Sequence, residues 1–320
     1  MTGAGVAGAA VQVVAVAAGS PLLVGWMRQV RARLEGRIGS GVLQPYRDLR
    51  KLARKQSIVP EGTTVVFATA PAFIAATMLV VAAIVPTVTV ASPMDGVGDL
   101  FVVVGLLLIA TVALILAALD TGTPFGGMGA SRETTIAALV EPAILVAVFA
   151  LSIRANSSNL AAIVTATAHR PGDVLTPAGA LAFAALVVVV AAETGRLPID
   201  NPATHLELTM VHEAMVLEYS GPRLALVEWG ASMRLAVLVG LLANLYLPIG
   251  VAGAHAGAAG LVVGVGAIAA KTALLAGALA AGEVFVAKVR LFRVPELLAG
   301  SFLLGLLAVT AAYFLAPRGA

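Results

Sequence analysis

Cysteine is absent from this 320-residue chain, so the polypeptide can hold no thiolate-ligated iron–sulfur cluster, and redox chemistry of that kind has to reside on a partner. Charge is scarce: 12% of residues are Asp, Glu, Lys or Arg, against about 25% in soluble globular domains. An ordinary soluble domain is thereby excluded. Ten-residue segments of alternating polarity, the mark of an outer-membrane barrel, are missing as well. No positive charge precedes the first apolar run, because Met1 to Ala18 carries no charged side chain. That run is therefore not a signal peptide and reads as an anchored helix. Nor is there a basic stripe interleaved with aromatics, which would signal a nucleic-acid partner.

What is there is hydrophobic: 60% of the residues are apolar, and the mean hydropathy is +0.99. Runs long enough to cross a bilayer as helices lie near Gly5–Trp26, Val65–Val90, Leu100–Leu119, Thr134–Ile153, Thr176–Ala192, Gly230–Gly250, Gly257–Val286 and Leu297–Ala316. The expected fold is all-α, a polytopic membrane helix bundle of about eight spans forming one integral-membrane domain over 1–320. Alternating the loops puts 16 of the 20 Lys and Arg on one side, leaving Arg154, Arg170 and Arg318 on the other and Lys271 within a span. By the positive-inside rule both termini face outward. The inner segments are then 27–63, 120–133, 193–229 and 287–296. No inverted repeat of the transporter kind is visible.

Two inner segments carry most of the information. In GVLQPYRDLRKLARKQ, Leu43, Tyr46, Leu49 and Leu52 recur every three residues, with Arg47, Arg50, Lys51, Arg54 and Lys55 between them. This predicts an amphipathic helix in the membrane interface, either an inert surface element or a docking surface. The second segment, AETGRLPIDNPATHLELTMVHEAMVLEYSG, follows the fifth apolar run directly. Pro198 and Pro202 bracket an irregular turn, and a helix is predicted from about Ala203 to Tyr219.

Ionisable groups within spans are functional candidates by default: Glu141 in the fourth, Lys271 and Glu283 in the seventh. Lys271 and Glu283 stand about 18 Å apart along a helix, so each needs a partner elsewhere. The second segment adds Glu193, Asp200, Glu207, Glu213 and Glu218. On a continuous helix Glu207 and Glu218 share a face, and an acidic line could lead from the interface towards Glu141. Clustered carboxylates in a low-dielectric site raise one another's proton affinity, which suits a proton relay; a solvated acidic surface helix is the plainer alternative. His205 and His212 lie roughly 10 Å apart on such a helix, too far for one metal ion. Val216 stands where the HExxH motif needs its second histidine. No metal site is expected.

The second segment resembles the signature of the membrane subunit shared by respiratory complex I, where it is subunit 1, and the membrane-bound group 4 nickel–iron hydrogenases. Glu193, Arg196, Pro198, Asp200, Glu218 and Tyr219 carry the likeness. Gly41, Leu43, Gln44, Pro45, Asp48, Lys51 and Leu52 resemble the family's first inner loop, and Arg290, Arg293 and Glu296 its last. Arg132 and Glu141 match the family's arginine and mid-membrane glutamate. In DNPATHLELTMVHEAMVLEYSG, Asn201, Ala203 and His205 point to the formate hydrogenlyase subunit 4 branch.

The resemblance implies a membrane anchor and proton-path subunit of an oxidoreductase complex in the cytoplasmic membrane of a prokaryote. Its partners would be a hydrogenase-like large subunit, iron–sulfur subunits and antiporter-like membrane subunits. Iron–sulfur and nickel–iron centres are expected on those partners and no cofactor on this chain. Glu141, Glu193, Asp200, Glu207, Glu213, Glu218, Lys271 and Glu283 become proton-path candidates. Arg132, Arg196, Gln44, Pro45, Arg47, Asp48, Arg50, Lys51, Tyr219, Arg290, Arg293 and Glu296 become docking or structural candidates. A quinone-binding subunit of an NADH–quinone oxidoreductase is the alternative, and a stand-alone ion transporter a second.

Overall fold

The computed structural model describes residues 3–200, 210–253 and 256–315. Among them the chain forms α1 (Gly3–Leu34), α2 (Gln44–Ala53), α3 (Val65–Ile84), α4 (Leu100–Asp120), α5 (Pro124–Ala155), α6 (Leu160–His169), α7 (Pro177–Glu193), α8 (His212–Val216), α9 (Gly221–Tyr246), α10 (Ala258–Phe285) and α11 (Val294–Leu315). The protein is a polytopic membrane helix bundle. Seven helices (α1, α3, α4, α5, α9, α10 and α11) have at least 20 residues and are apolar enough to cross a bilayer. The eighth apolar helix, α7, has 17 residues, about the minimum for a span. It packs against α5, α9 and α11.

Local chemistry sets the helix starts. Thr64, Asp99, Thr123, Asn159 and Thr176 each stand just before a helix and accept a hydrogen bond from a first-turn backbone N–H, the usual N-cap arrangement. At the far end of α4, Asp120 accepts from the Thr64 N–H at 2.7 Å and the Phe67 N–H at 3.1 Å. One carboxylate thus joins the end of α4 to the start of α3. Gly25 permits the closest approach: a Cβ there would lie 1.9 Å from the Val42 carbonyl oxygen.

Several boundaries differ from expectation. α1 runs on to Leu34, α5 begins at Pro124 and α9 at Gly221, so the inner segments 120–133 and 193–229 are partly helical. Thr123 and Pro124 form a cap and a proline first turn, both strong start signals, and they outweigh the glycines that follow. The segment after Arg154, expected to be an outer loop, holds α6. The second apolar run, expected to reach Val90, stays helical only to Ile84: Pro86 lacks a donor and biases Val85 away from helix. Val85 accordingly has ψ 124°.

The helix expected from Ala203 to Tyr219 is not continuous. Asn201 to Thr209, including His205 and Glu207, lie outside the described residues, and beyond them only His212–Val216 is helical. Tertiary contacts end it. The Tyr219 ring stacks on Phe67 with centroids 4.2 Å apart, and its hydroxyl donates to the Phe67 carbonyl at 2.9 Å. Gly221 then turns the chain at φ +56°, with Gln56 so close that a Cβ would meet its carbonyl oxygen at 2.6 Å.

Candidate functional site

Between the charge-rich end and the middle of the bundle lies a cavity of about 790 Å³. Its walls come from α1, α2, α3, α4, α5, α7, α8, α9, α10 and the segment after α7. Apolar side chains such as Val24, Met27, Ile74, Leu114 and Ile136 form part of the lining. Into it open Glu133, Glu193, Asp200, His212, Glu213, Glu228, Arg234 and Glu283.

Glu193 ends α7, which brings its carboxylate to the Arg234 guanidinium at 3.2 Å. Arg234 also donates to the Thr111 hydroxyl at 2.8 Å and the Leu107 carbonyl at 3.0 Å. Thr111 sits midway along α4, about 16 Å from its first residue at 1.5 Å per residue. The pair therefore lies at mid-membrane depth. Glu133 on α5 is within electrostatic reach of Glu193, Arg234 and Asp200, and Glu141, two turns further, of Glu193 and Arg234. Glu141 is half-buried beside Pro142.

Nearer the surface, Asp200 accepts from Lys288 at 2.9 Å and from the His212 backbone N–H at 3.4 Å. The loop carrying Lys288 is tied in by Val289, whose N–H donates to the Pro198 carbonyl at 2.9 Å. Arg196 pairs with the buried Glu283 at 3.0 Å, and Arg31 approaches the same carboxylate at 3.9 Å. Burial holds the His212 imidazole below its ordinary pKa, helped by Arg234 and opposed by Asp200. His212 is therefore neutral near pH 7. Burial also raises the Tyr219 phenol, which stays a donor.

Of the acidic candidates, the structure gathers Glu193, Asp200, Glu213 and Glu283 on one cavity and brings Glu141 within reach of Glu193. Glu218 is half-buried in the turn after α8 and is not part of the wall. Lys271 stands apart: its ammonium donates to the Asn244 side chain and to the Leu247 and Ile249 carbonyls at 3.0 Å each. These groups belong to the charge-poor end of α9. Lys271 and Glu283 thus each have their own partners, and the first is remote from the acids.

The docking candidates divide. Arg47, Arg50 and Lys51 are exposed on α2, as are Arg290, Arg293 and Glu296 around the start of α11. Phe292, between the two arginines, is 91% exposed. Other candidates face inward: Pro45 is buried, Gln44 donates to Asp48 at 2.8 Å, and Asp48 meets Arg28 at 3.8 Å. The Tyr46 hydroxyl donates to the Ala18 carbonyl and pins α2 on α1. Leu43, expected in the apolar row of the interfacial helix, precedes α2 as its cap and is 57% exposed. Arg132 donates to the Met210 carbonyl at 2.7 Å, which fixes the entry to α8.

Sequence reasoning missed Glu133, Glu228 and Arg234. Glu133 fell in a segment read as loop, and the Thr123–Pro124 cap signal was what could have moved it onto a helix. Arg234 was counted with the inner cations although it stands inside an apolar window. Among the described residues no group of three or more His, Asp or Glu is arranged to hold a metal ion.

The family model described as NADH dehydrogenase matches residues 7–314. Hydrogenase-4 component C of Escherichia coli is 36% identical over 231 residues, 72% of this chain and 72% of that protein. Formate hydrogenlyase subunit 4 of the same organism is 36% identical over 240 residues, 75% and 77% of the two chains. An NADH-quinone oxidoreductase subunit of Syntrophobacter fumaroxidans is 30% identical over 242 residues, 69% and 70%. In fold, a chain of the membrane-bound sulfane sulfur reductase, an archaeal respiratory membrane complex, superposes with a TM-score of 0.81 over 95% of this chain and 98% of that one, at 18% identity. A match across nearly the whole length and two relatives at 36% identity agree, and the chain belongs to the NADH dehydrogenase subunit 1 family.

Proposed function

We propose that this chain is the membrane subunit of a respiratory oxidoreductase complex of the hydrogenlyase type, seating a peripheral redox arm and coupling it to proton movement. The observation that carries the reading is the continuity of the cavity. It runs from the charge-rich end, at Arg28, Arg37 and Asp48, to the Glu193–Arg234 pair at mid-membrane depth, with Glu141 next in reach. Identities of 36% to two hydrogenlyase-type subunits and 30% to a quinone oxidoreductase subunit favour that branch. Exposed Arg47, Arg50, Lys51, Arg290 and Arg293, with Phe292 among them, supply a cationic and aromatic face for a soluble partner in the cytoplasm. Iron–sulfur and nickel–iron centres would reside on partner subunits.

The chemistry asked of this chain is proton transfer. A carboxylate near an arriving negative charge binds its proton more tightly, and one near a cation less so. A charge change on a partner seated over the cavity would be felt first at Asp200 and Glu213, then at Glu193 and Glu133. Arg234 pairs with Glu193 at 3.2 Å and so ties that acid to α4. Neutral His212, a donor and acceptor at once, can pass a proton along the same wall.

Mild-detergent purification followed by mass spectrometry should recover a soluble redox subunit and at least one antiporter-like membrane subunit. In vesicles holding that complex, Glu141→Gln should leave assembly and electron transfer in place and impair proton uptake. A partner-free chain active as a transporter would sink the reading. Unchanged proton uptake in Glu141→Gln would reduce the chain to an anchor.

The cavity supports a second reading, a quinone subunit. Its volume falls within the roughly 300–1,000 Å³ of small-molecule sites, and apolar side chains such as Val24, Met27, Leu114 and Ile136 line part of it. Quinone-dependent turnover of the purified complex, blocked by narrowing the cavity with Ile136→Trp, distinguishes the two.

A further inference from the structure

The charge-poor end holds a second cavity, of about 260 Å³, between the end of α5, α6 and the turn after it. Leu151, Ile163 and Val174 contribute an apolar lining, and Arg154, His169 and Arg170 contribute cationic or protonatable side chains. The loop alternation assigns Arg154, Arg170 and Arg318 to this side and the structure adds the Lys271 ammonium, so two of these four cations line one cavity.

A plainer explanation covers part of this. Arg154 stands in the last turn of α5 and His169 in the last turn of α6, where cations offset the negative ends of helices. Arg154 is also engaged within the protein. Neither fact requires a cavity. Cations offsetting helix ends work as well projecting into water, whereas these converge on a space equal to roughly nine waters at about 30 Å³ each. Asp173 follows Arg170 by three residues, and the two arginines still leave the segment net positive.

We propose that this cavity binds the phosphate of an anionic phospholipid headgroup in the leaflet at the charge-poor end. Arg guanidinium groups match phosphate oxygens bidentately. Basic pockets among transmembrane helices are suited to acidic headgroups. Two features select a lipid over free phosphate. The lining is apolar as well as cationic, which suits an amphiphile. Leu175, next to Val174 on the same turn, is 86% exposed and available to an acyl chain.

The test is native mass spectrometry of the full chain in its purified complex, released from micelles containing phosphatidylglycerol or phosphatidylcholine. Retention of phosphatidylglycerol should exceed that of phosphatidylcholine about tenfold, and Arg170→Gln should remove most of the difference. Arg290→Gln at the other end should leave it unchanged. Equal retention of both lipids, or undiminished retention in Arg170→Gln, overturns the site. Displacement by millimolar inorganic phosphate overturns the lipid assignment. Arg170 is exposed, so its variant is expected to fold, and an unchanged melting temperature without lipid verifies this.

Discussion

The segment from Val85 to Thr89 and the cavity around Glu193 both put polar groups deep in the bundle, and they handle them oppositely. At the first, Gln12 accepts from the N–H groups of Thr87, Val88 and Thr89 at 3.1–3.3 Å and donates to the carbonyls of Ala82 and Val85 at 2.9 and 2.7 Å. Asn244 donates to the Pro86 and Thr87 carbonyls at 2.7 Å each, and Lys271 donates to Asn244. Irregular backbone at membrane depth survives only where its groups are satisfied in this way. At the second, the acids face open volume, and Glu133 makes no hydrogen bond or ion pair among the described residues. The first region is a fixed lock. The second leaves acids facing open volume, as the proposed proton path requires.

Breaking the lock should give the largest effect on stability. Gln12→Leu strips the acceptor from three backbone N–H groups at once. At about 1–3 kcal/mol for each buried group left unsatisfied, the loss should be roughly 3–9 kcal/mol, read as a lowered melting temperature in detergent. Proton uptake per electron in whatever complex survives should be normal. A coupling defect without destabilisation would erase the contrast between the regions.

The reverse pattern is expected of Glu193→Gln. Assembly and melting temperature should change little, because Arg234 keeps Thr111 and the Leu107 carbonyl. Proton uptake should fall about a hundredfold, the lower end for a lost proton-transfer group. Glu133→Gln sharpens the comparison with a milder loss, since it holds no ion pair among the described residues and neighbouring acids share its wall.

Smaller still is the effect of reversing Arg47, Arg50 and Lys51 together. These side chains are exposed, and none of them lines the cavity. The peripheral arm should detach more readily as salt rises, with the membrane bundle unaltered; salt-independent attachment would assign them to lipid. The smallest effect concerns His212. Because burial lowers its pKa in the folded chain, the unfolded chain takes up the proton first as pH falls. Stability contributed at neutral pH is therefore lost below about pH 6.5, the unfolded value. His212→Gln should flatten that part of the pH–stability profile, measured by thermal unfolding from pH 7.5 to 5.

The helix bundle could be read from the sequence because each apolar run of about 20 residues is a local signal, independent of its neighbours. The amphipathic α2 was legible for a similar reason. The boundaries that went astray did so where local and tertiary preferences compete. Nothing in GGMGASRETT looks helical until Thr123 caps it. Nothing in VHEAMVLEYSG marks a helix that stops at Val216, because the stop comes from Phe67 and Gln56, more than 140 residues away. The acidic residues of the second inner segment were visible as a cluster; their partners were not.

What the sequence by itself determined is the class of the protein, the polarity of its two ends and the presence of more carboxylates than an apolar bundle needs. Composition and period fix these, since a bilayer selects for apolar length and loops carry the charge. Tertiary structure alone decided which carboxylates share a space. Glu193 meets Arg234 because a 17-residue α7 ends short of the charge-rich surface, opposite the middle of α4. Glu283 meets Arg196, and Lys271 meets Asn244, because α10 spans both ends of the molecule. Ion pairs form across helices whose separation along the chain carries no local signature, and only packing brings them within about 3 Å.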